Sequence, residues 1–186
     1  PYSGVLHGKR GLALSISTAI AILPNPMAGP ALHQGCPFRN AVESGLVNPE
    51  HTIQVGIRGG TEPLWQYSCE SGMRVVHIEE FYEVGCREVA RERRSMMGTG
   101  PVYTPFDIDC IDPAFAPGTG TPVVVGMTTF EALQTLRGLR GLDIIGADIV
   151  EISPLFDNSG ITSLAGATLM FELLCLAAES PARSPA

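Results

Sequence analysis

Four short β-branched runs, separated by longer stretches of helical periodicity, constrain this chain more than any other feature. Residues 52–57, 74–78, 102–109 and 144–152 are largely apolar on both faces, as strands are in a parallel sheet covered by helices on each side. Helical patterns occupy 37–46, 64–71, 84–97, 129–139 and 162–178. Alternation of this kind predicts an α/β fold: three α/β/α layers around a mainly parallel sheet. One helix announces its start, because Thr128 and Glu131 have the spacing of a capping box. Glycines at 138 and 141 mark its stop. The last helix is apolar nearly all round and reads as buried. Arg91, Arg93 and Arg94, diluted by Glu88 and Glu92, read as a solvated helix face.

Composition narrows the function classes. With 45% hydrophobic and 17% charged residues among 186, the chain should bury a substantial core and form one domain or a large piece of one. A net charge of −7 offers little to neutralise phosphates, so nucleic acid is not an expected partner. The five cysteines contain no CxxC pair, which suits reduced thiols and a cytoplasmic protein. The longest uncharged apolar run, 12–23, is shorter than the ~20 residues of a membrane span, and no membrane association is expected. Lys9 and Arg10 ahead of that run give it the outline of a signal peptide, a minority reading. Residues 1–30 therefore stand apart as a divergent leader that need not belong to the fold. Residues 31–178 form the regular domain, and 179–186 read as a disordered tail.

Chemistry concentrates at the end of the third strand-like run. Asp107, Asp109 and Asp112 fall within six residues, and the first two, spaced two apart in a strand, leave the same face. Two carboxylates ~4 Å apart at an effective dielectric near 20 repel by about 4 kcal/mol. Either one is protonated or a cation sits between them, and a hard divalent ion such as Mg, Mn or Ca answers the repulsion. Alternatively, the aspartates only cap the loop that follows. That loop, 116–122, packs two glycines and two prolines into seven residues and should be rigid. No phosphate-loop or dinucleotide glycine pattern is present. Glu151 ends the fourth run and needs a partner, either a cationic ligand or a structural Arg. Of the histidines, His33 precedes a helix in a loop and His77 lies in a strand, while His7 and His51 have no informative context.

The block Phe106-Asp-Ile-Asp-Cys-Ile-Asp-Pro-Ala-Phe-Ala-Pro-Gly-Thr-Gly-Thr-Pro122 closely resembles the third signature of the ureohydrolases, the arginase/agmatinase family. Gln54-Val-Gly-Ile-Arg-Gly59, Asp148-Ile-Val-Glu-Ile-Ser-Pro154 and Asp157-Asn-Ser-Gly-Ile-Thr162 agree with it, and Cys36-Pro-Phe-Arg-Asn-Ala41 is similar to the agmatinase-like branch. The resemblance implies hydrolysis of a linear guanidino compound, of the agmatine or guanidinobutyrate type, to urea and an amine by a homo-oligomeric enzyme with two manganese ions. It further implies that Asp107 bridges the ions, Asp109 ligates one, Glu151 orients the guanidinium and His33 shuttles protons. A hydroxide of lowered pKa would attack the guanidinium carbon.

The sequence also departs from the family. Gln34 is interposed after His33, and Pro105 stands where a small residue is usual. Neither of the other two signatures, Gly-Gly-Asp-His and Asp-Ala-His-x-Asp, occurs, and residues 11–20 hold no ligand-type side chain. The resemblance thus extends only to the C-terminal part of a ureohydrolase, with the domain incomplete at its N-terminus. The rival expectation is a catalytically inactive fragment, or a subunit that associates with complete homologues. Loss of N-terminal strands would expose a sheet edge and leave the stability marginal.

Overall fold

The computed structural model describes residues 12–17, 37–59 and 65–181, the first of these as backbone only. Five strands form one sheet: β1 (Leu12–Ser17), β2 (Val47–Ile57), β3 (Arg74–His77), β4 (Pro101–Asp107) and β5 (Asp143–Val150). Their order is β3-β2-β1-β4-β5, and every neighbouring pair is parallel. Among the described residues six α-helices accompany them: α1 (Pro37–Glu43), α2 (Gln66–Ser71), α3 (Ile78–Val84), α4 (Cys86–Met97), α5 (Thr129–Arg137) and α6 (Ile161–Ala178).

The layers follow from handedness. From β1 through β2 to β3 the chain steps one way across the sheet. It then returns over the sheet to β4 and steps onward to β5. Right-handed crossovers in opposite directions put their helices on opposite faces. One face carries the main core, in which Ile53, Val55, Val102, Phe106 and Ile144 meet apolar residues of α3, α4, α5 and α6. On the other face, Phe38, Ala41 and Val42 of α1 pack with Val47 and Tyr103. Trp65, just before α2, covers Ile57 and Val75.

Several expectations are corrected. The segment set aside as a leader supplies β1, the middle strand, paired on both sides. The helix expected over 84–97 is present as α4, but a further helix, α3, precedes it and ends at Gly85, whose φ is 83°. α3 was hidden because Ile78 extends the apolar run of β3. Arg93 is not on a solvated face: it is fully buried in α4, and burial pulls its pKa down to about 10. Arg91 and Arg94 are exposed as expected. Pro105 is accommodated in β4, where the ladder to β1 passes through Val102 and Tyr103 and resumes only at Phe106, since proline deletes a ladder donor. The tail is ordered through Ser180, which is buried and donates to Asp143 at 2.6 Å.

α6 is half buried rather than fully so. Leu169, Leu173 and Leu176 enter the core, while Leu164, Phe171 and Leu174 are more than 60% exposed on its outer face. By length and composition this helix could cross a membrane, but its inner stripe packs on β5 and α5, and Glu172 is bonded to Arg137. Both predicted starts and stops hold at α5: Thr128 and Glu131 form the capping box.

α6 begins on a second anchor. Asp157 accepts from the Ser159 and Gly160 amides, both at 3.1 Å, and from the Thr162 amide at 2.6 Å. The Thr162 amide, then the Ser159 hydroxyl, hold this carboxyl down to about 2, against roughly 3.9 for an unfolded Asp. A depressed folded pKa stabilises the fold above the unfolded value, and that contribution is lost as pH falls from about 4 toward 2. Asp157→Ala should therefore lower the melting temperature clearly at pH 7, and the gap to the parent should narrow between pH 4 and pH 2. Thermal melts followed by circular dichroism across that range check it.

Candidate functional site

The sheet's winding direction reverses between β1 and β4. In open α/β sheets the crevice beyond the carboxyl ends of the strands at such a switch point is where ligands bind. β4 reaches that edge at Asp107, two residues short of the expected end. There the backbone tightens into a 3-10 turn over Ile108–Cys110, and Asp107 caps it by accepting from the Asp109 amide at 2.9 Å. The two acids are thus not a like-facing strand pair. Asp107 turns back over the loop, and Asp109 projects from the turn.

Asp109 is only 3% exposed. The hydroxyls of Thr119 and Thr121 each donate to one of its oxygens. Burial pushes its carboxyl up to about 6, Thr121 and Arg58 oppose the rise, and the charge of Glu151 adds to it. The register that pairs Asp107 with Val150 brings the ends of β4 and β5 side by side, with Glu151 directly after β5. Glu151 is exposed at the end of β5 with a φ of 66°, a left-handed conformation that few side chains other than glycine adopt. Val125, with a φ of 63°, is the other such residue among those described.

The Gly/Pro loop is as rigid as its composition implies. The Gly118 amide donates to the Thr162 hydroxyl and its carbonyl accepts from the Ser153 amide, both at 2.8 Å, which fastens the loop to the start of α6. At the loop's far end Gly126 donates to Asp112 at 2.9 Å, and a Cβ there would lie 2.4 Å from the Asp112 nitrogen. Backbone bonds from Ala114 and Gly126 hold the Asp112 carboxyl below its ordinary range. The third aspartate is therefore a loop fastener.

Arg58, the residue after β2, was not singled out by sequence. It is 5% exposed and donates to the carbonyls of Gly56, Asp109, Cys110, Ile111, Val123 and Val124, the shortest bonds being 2.7 Å to Asp109 and to Val123. Burial lowers its pKa, and the charges of Cys110, Asp112 and Asp109 oppose that. A cation directly after a buried strand was the available signal, because it had to be compensated inside the fold. Thr119 and Thr121 were legible only as loop residues. His77 rests edge-on against Trp65, with ring centroids 5.3 Å apart. His51 donates to the Met96 carbonyl at 2.5 Å. His33 lies outside the described residues.

Among the described residues no group of three His, Cys, Asp or Glu could hold a metal. The buried Asp109 carboxylate, with Asp107 beside it in the chain, offers the oxygen donors suited to one hard cation completed by water. It is not the donor set of a two-ion centre.

The left-handed backbone at Glu151 carries a cost of about 1–2 kcal/mol for an ordinary side chain. Glu151→Gly should therefore raise the unfolding free energy by about 1 kcal/mol, read from urea denaturation at neutral pH.

Comparison with known proteins agrees with this geometry. The arginase family model matches residues 23–176. Guanidinopropionase of Pseudomonas aeruginosa is 56% identical over 81% of this chain and 48% of its own length. Guanidinobutyrase of the same organism is 45% identical over 91% of this chain and 53% of its own length. Proclavaminate amidino hydrolase from Streptomyces clavuligerus superposes with a TM-score of 0.84 at 39% identity, over 91% of this chain and 56% of that one. A hypothetical agmatinase from Burkholderia thailandensis gives 0.79 at 40% identity, over 90% and 50%. The chain spans about half the length of the curated relatives it matches. A matching family model across most of the sequence, on an arginase-like α/β sheet with its acids at the switch point, places this chain in the arginase family.

Proposed function

We propose that this chain belongs to an enzyme that hydrolyses a linear guanidino compound to urea and an amine. The placement of Asp107 and Asp109 at the end of β4, beside Glu151 at the end of β5, carries the reading. The relatives named guanidinopropionase, guanidinobutyrase and agmatinase support a guanidino acid or amine of short chain as the substrate. Water adds to the guanidinium carbon, the bond to the substituted nitrogen breaks, and both protons of the water pass to that nitrogen, which leaves as an ammonium beside neutral urea.

Each residue has a part in this proposal. The exposed Glu151 carboxylate accepts N–H bonds from the planar guanidinium, for which its two oxygens are a matching fork. Asp109 and Asp107 would hold a divalent cation, manganese by family resemblance, whose chemistry is to ionise water near neutral pH. The Thr119 and Thr121 hydroxyls keep Asp109 in one orientation. His33 is assigned the proton delivered to the leaving amine. The free thiols of Cys69 and Cys175, both exposed, support a reducing, cytoplasmic setting.

Urea release from 3-guanidinopropionate, 4-guanidinobutyrate and agmatine, with manganese supplied, tests the proposal on the 186-residue chain. One of them should yield urea. Glu151→Gln should raise KM about 10–100-fold, the loss of charge-assisted bonds worth about 1.5–3 kcal/mol. Manganese-loaded protein that releases no urea from any of the three refutes the reading.

A further inference from the structure

The register of the sheet places Arg58 opposite the acid it serves. Ser17, the last residue of β1, pairs with Val55 on one side and Phe106 on the other. Arg58 and Asp109 each lie three residues beyond those partners, facing one another past the end of β1. The guanidinium reaches from the β2 side to the carbonyls of Asp109, Cys110 and Ile111, and to Val123 and Val124 in the loop. A planar group with five fixed N–H donors is well suited to meet several acceptors in two separate segments at once. Gly126 leaves it room, since a Cβ there would lie 2.6 Å from Nη2 of Arg58.

We propose that Arg58 is a positioning residue: it ties the turn after β4 to the 119–126 loop at the separation at which Thr119 and Thr121 reach Asp109, and so pre-forms the acid for a cation. The cation part rests on the proposed function, while the tie between turn and loop does not.

Arg58→Lys keeps the charge and removes the fork, so it separates the two effects. In folded protein, Mn2+ affinity, read from the free-ion electron paramagnetic resonance signal, should fall about 10–100-fold, as when the partners that orient a ligand are lost. Hydrogen exchange should accelerate about tenfold or more at amides of residues 119–126 while β3 and α6 keep their protection. A variant that only destabilised the fold would leave the affinity of its folded fraction unchanged and accelerate exchange everywhere; either result overturns the proposal. If the parent chain takes up no Mn2+, the proposed function fails, and the exchange pattern alone then decides the tie. If Arg58→Lys does not fold, the pair Thr119→Val and Thr121→Val should reproduce the loss of Mn2+ affinity, and unchanged affinity in that pair overturns the proposal.

Discussion

A carboxylate almost wholly removed from water must be compensated where it stands, and the C-terminal edge of this sheet is organised around that need at Asp109. Two threonine hydroxyls satisfy its oxygens, and a guanidinium lies close enough to favour its charge. The hydroxyls require the loop to turn back sharply over the strand end. Its anchoring follows, with Gly118 fastened to Thr162 and Gly126 to Asp112. The compensation remains partial, since the carboxyl still rises to about 6. A buried acid left short of positive charge is an electrostatic seat for a cation.

Much of the fold was legible because a covered parallel strand cannot hide: both faces must be apolar, so each run stands out against its polar boundaries. The ends were less so. β4 stops at Asp107 because that side chain captures the Asp109 amide, a local bond that competes with the ladder. α3 was lost because Ile78 follows closely on Val75 and Val76 and reads as the end of the strand, although it opens the helix. Arg93 misled because charge is read as exposure, although helical periodicity puts it with Val89, Ala90 and Met97 on the buried side.

The acids of the site were conspicuous, and what holds them was not. Asp107, Asp109 and Glu151 stand out as charge at the ends of apolar strands. Arg58, Thr119 and Thr121 act through contacts between residues far apart in sequence, and no local spacing encodes those. The role of Asp112 shows the converse, since an acid inside a motif can serve the backbone alone. The middle strand is equally instructive. β1 occupies the central place in the sheet, yet its sequence, Leu12–Ser17, contains no carboxylate or imidazole. Topology and ligand supply have come apart in this chain, and the cation donors among the described residues come from β4 and its turn.

The pairing of β1 has a mechanical side. Among the described residues no ladder joins β2 to β4, so the backbone continuity of the sheet passes through six residues, an isthmus between the slab of β3 and β2 and the slab of β4 and β5. The acids ride on one slab and Arg58 on the other. The bonds of Arg58 to the turn and loop after β4 are therefore a second span between the slabs, set at the mouth of the crevice.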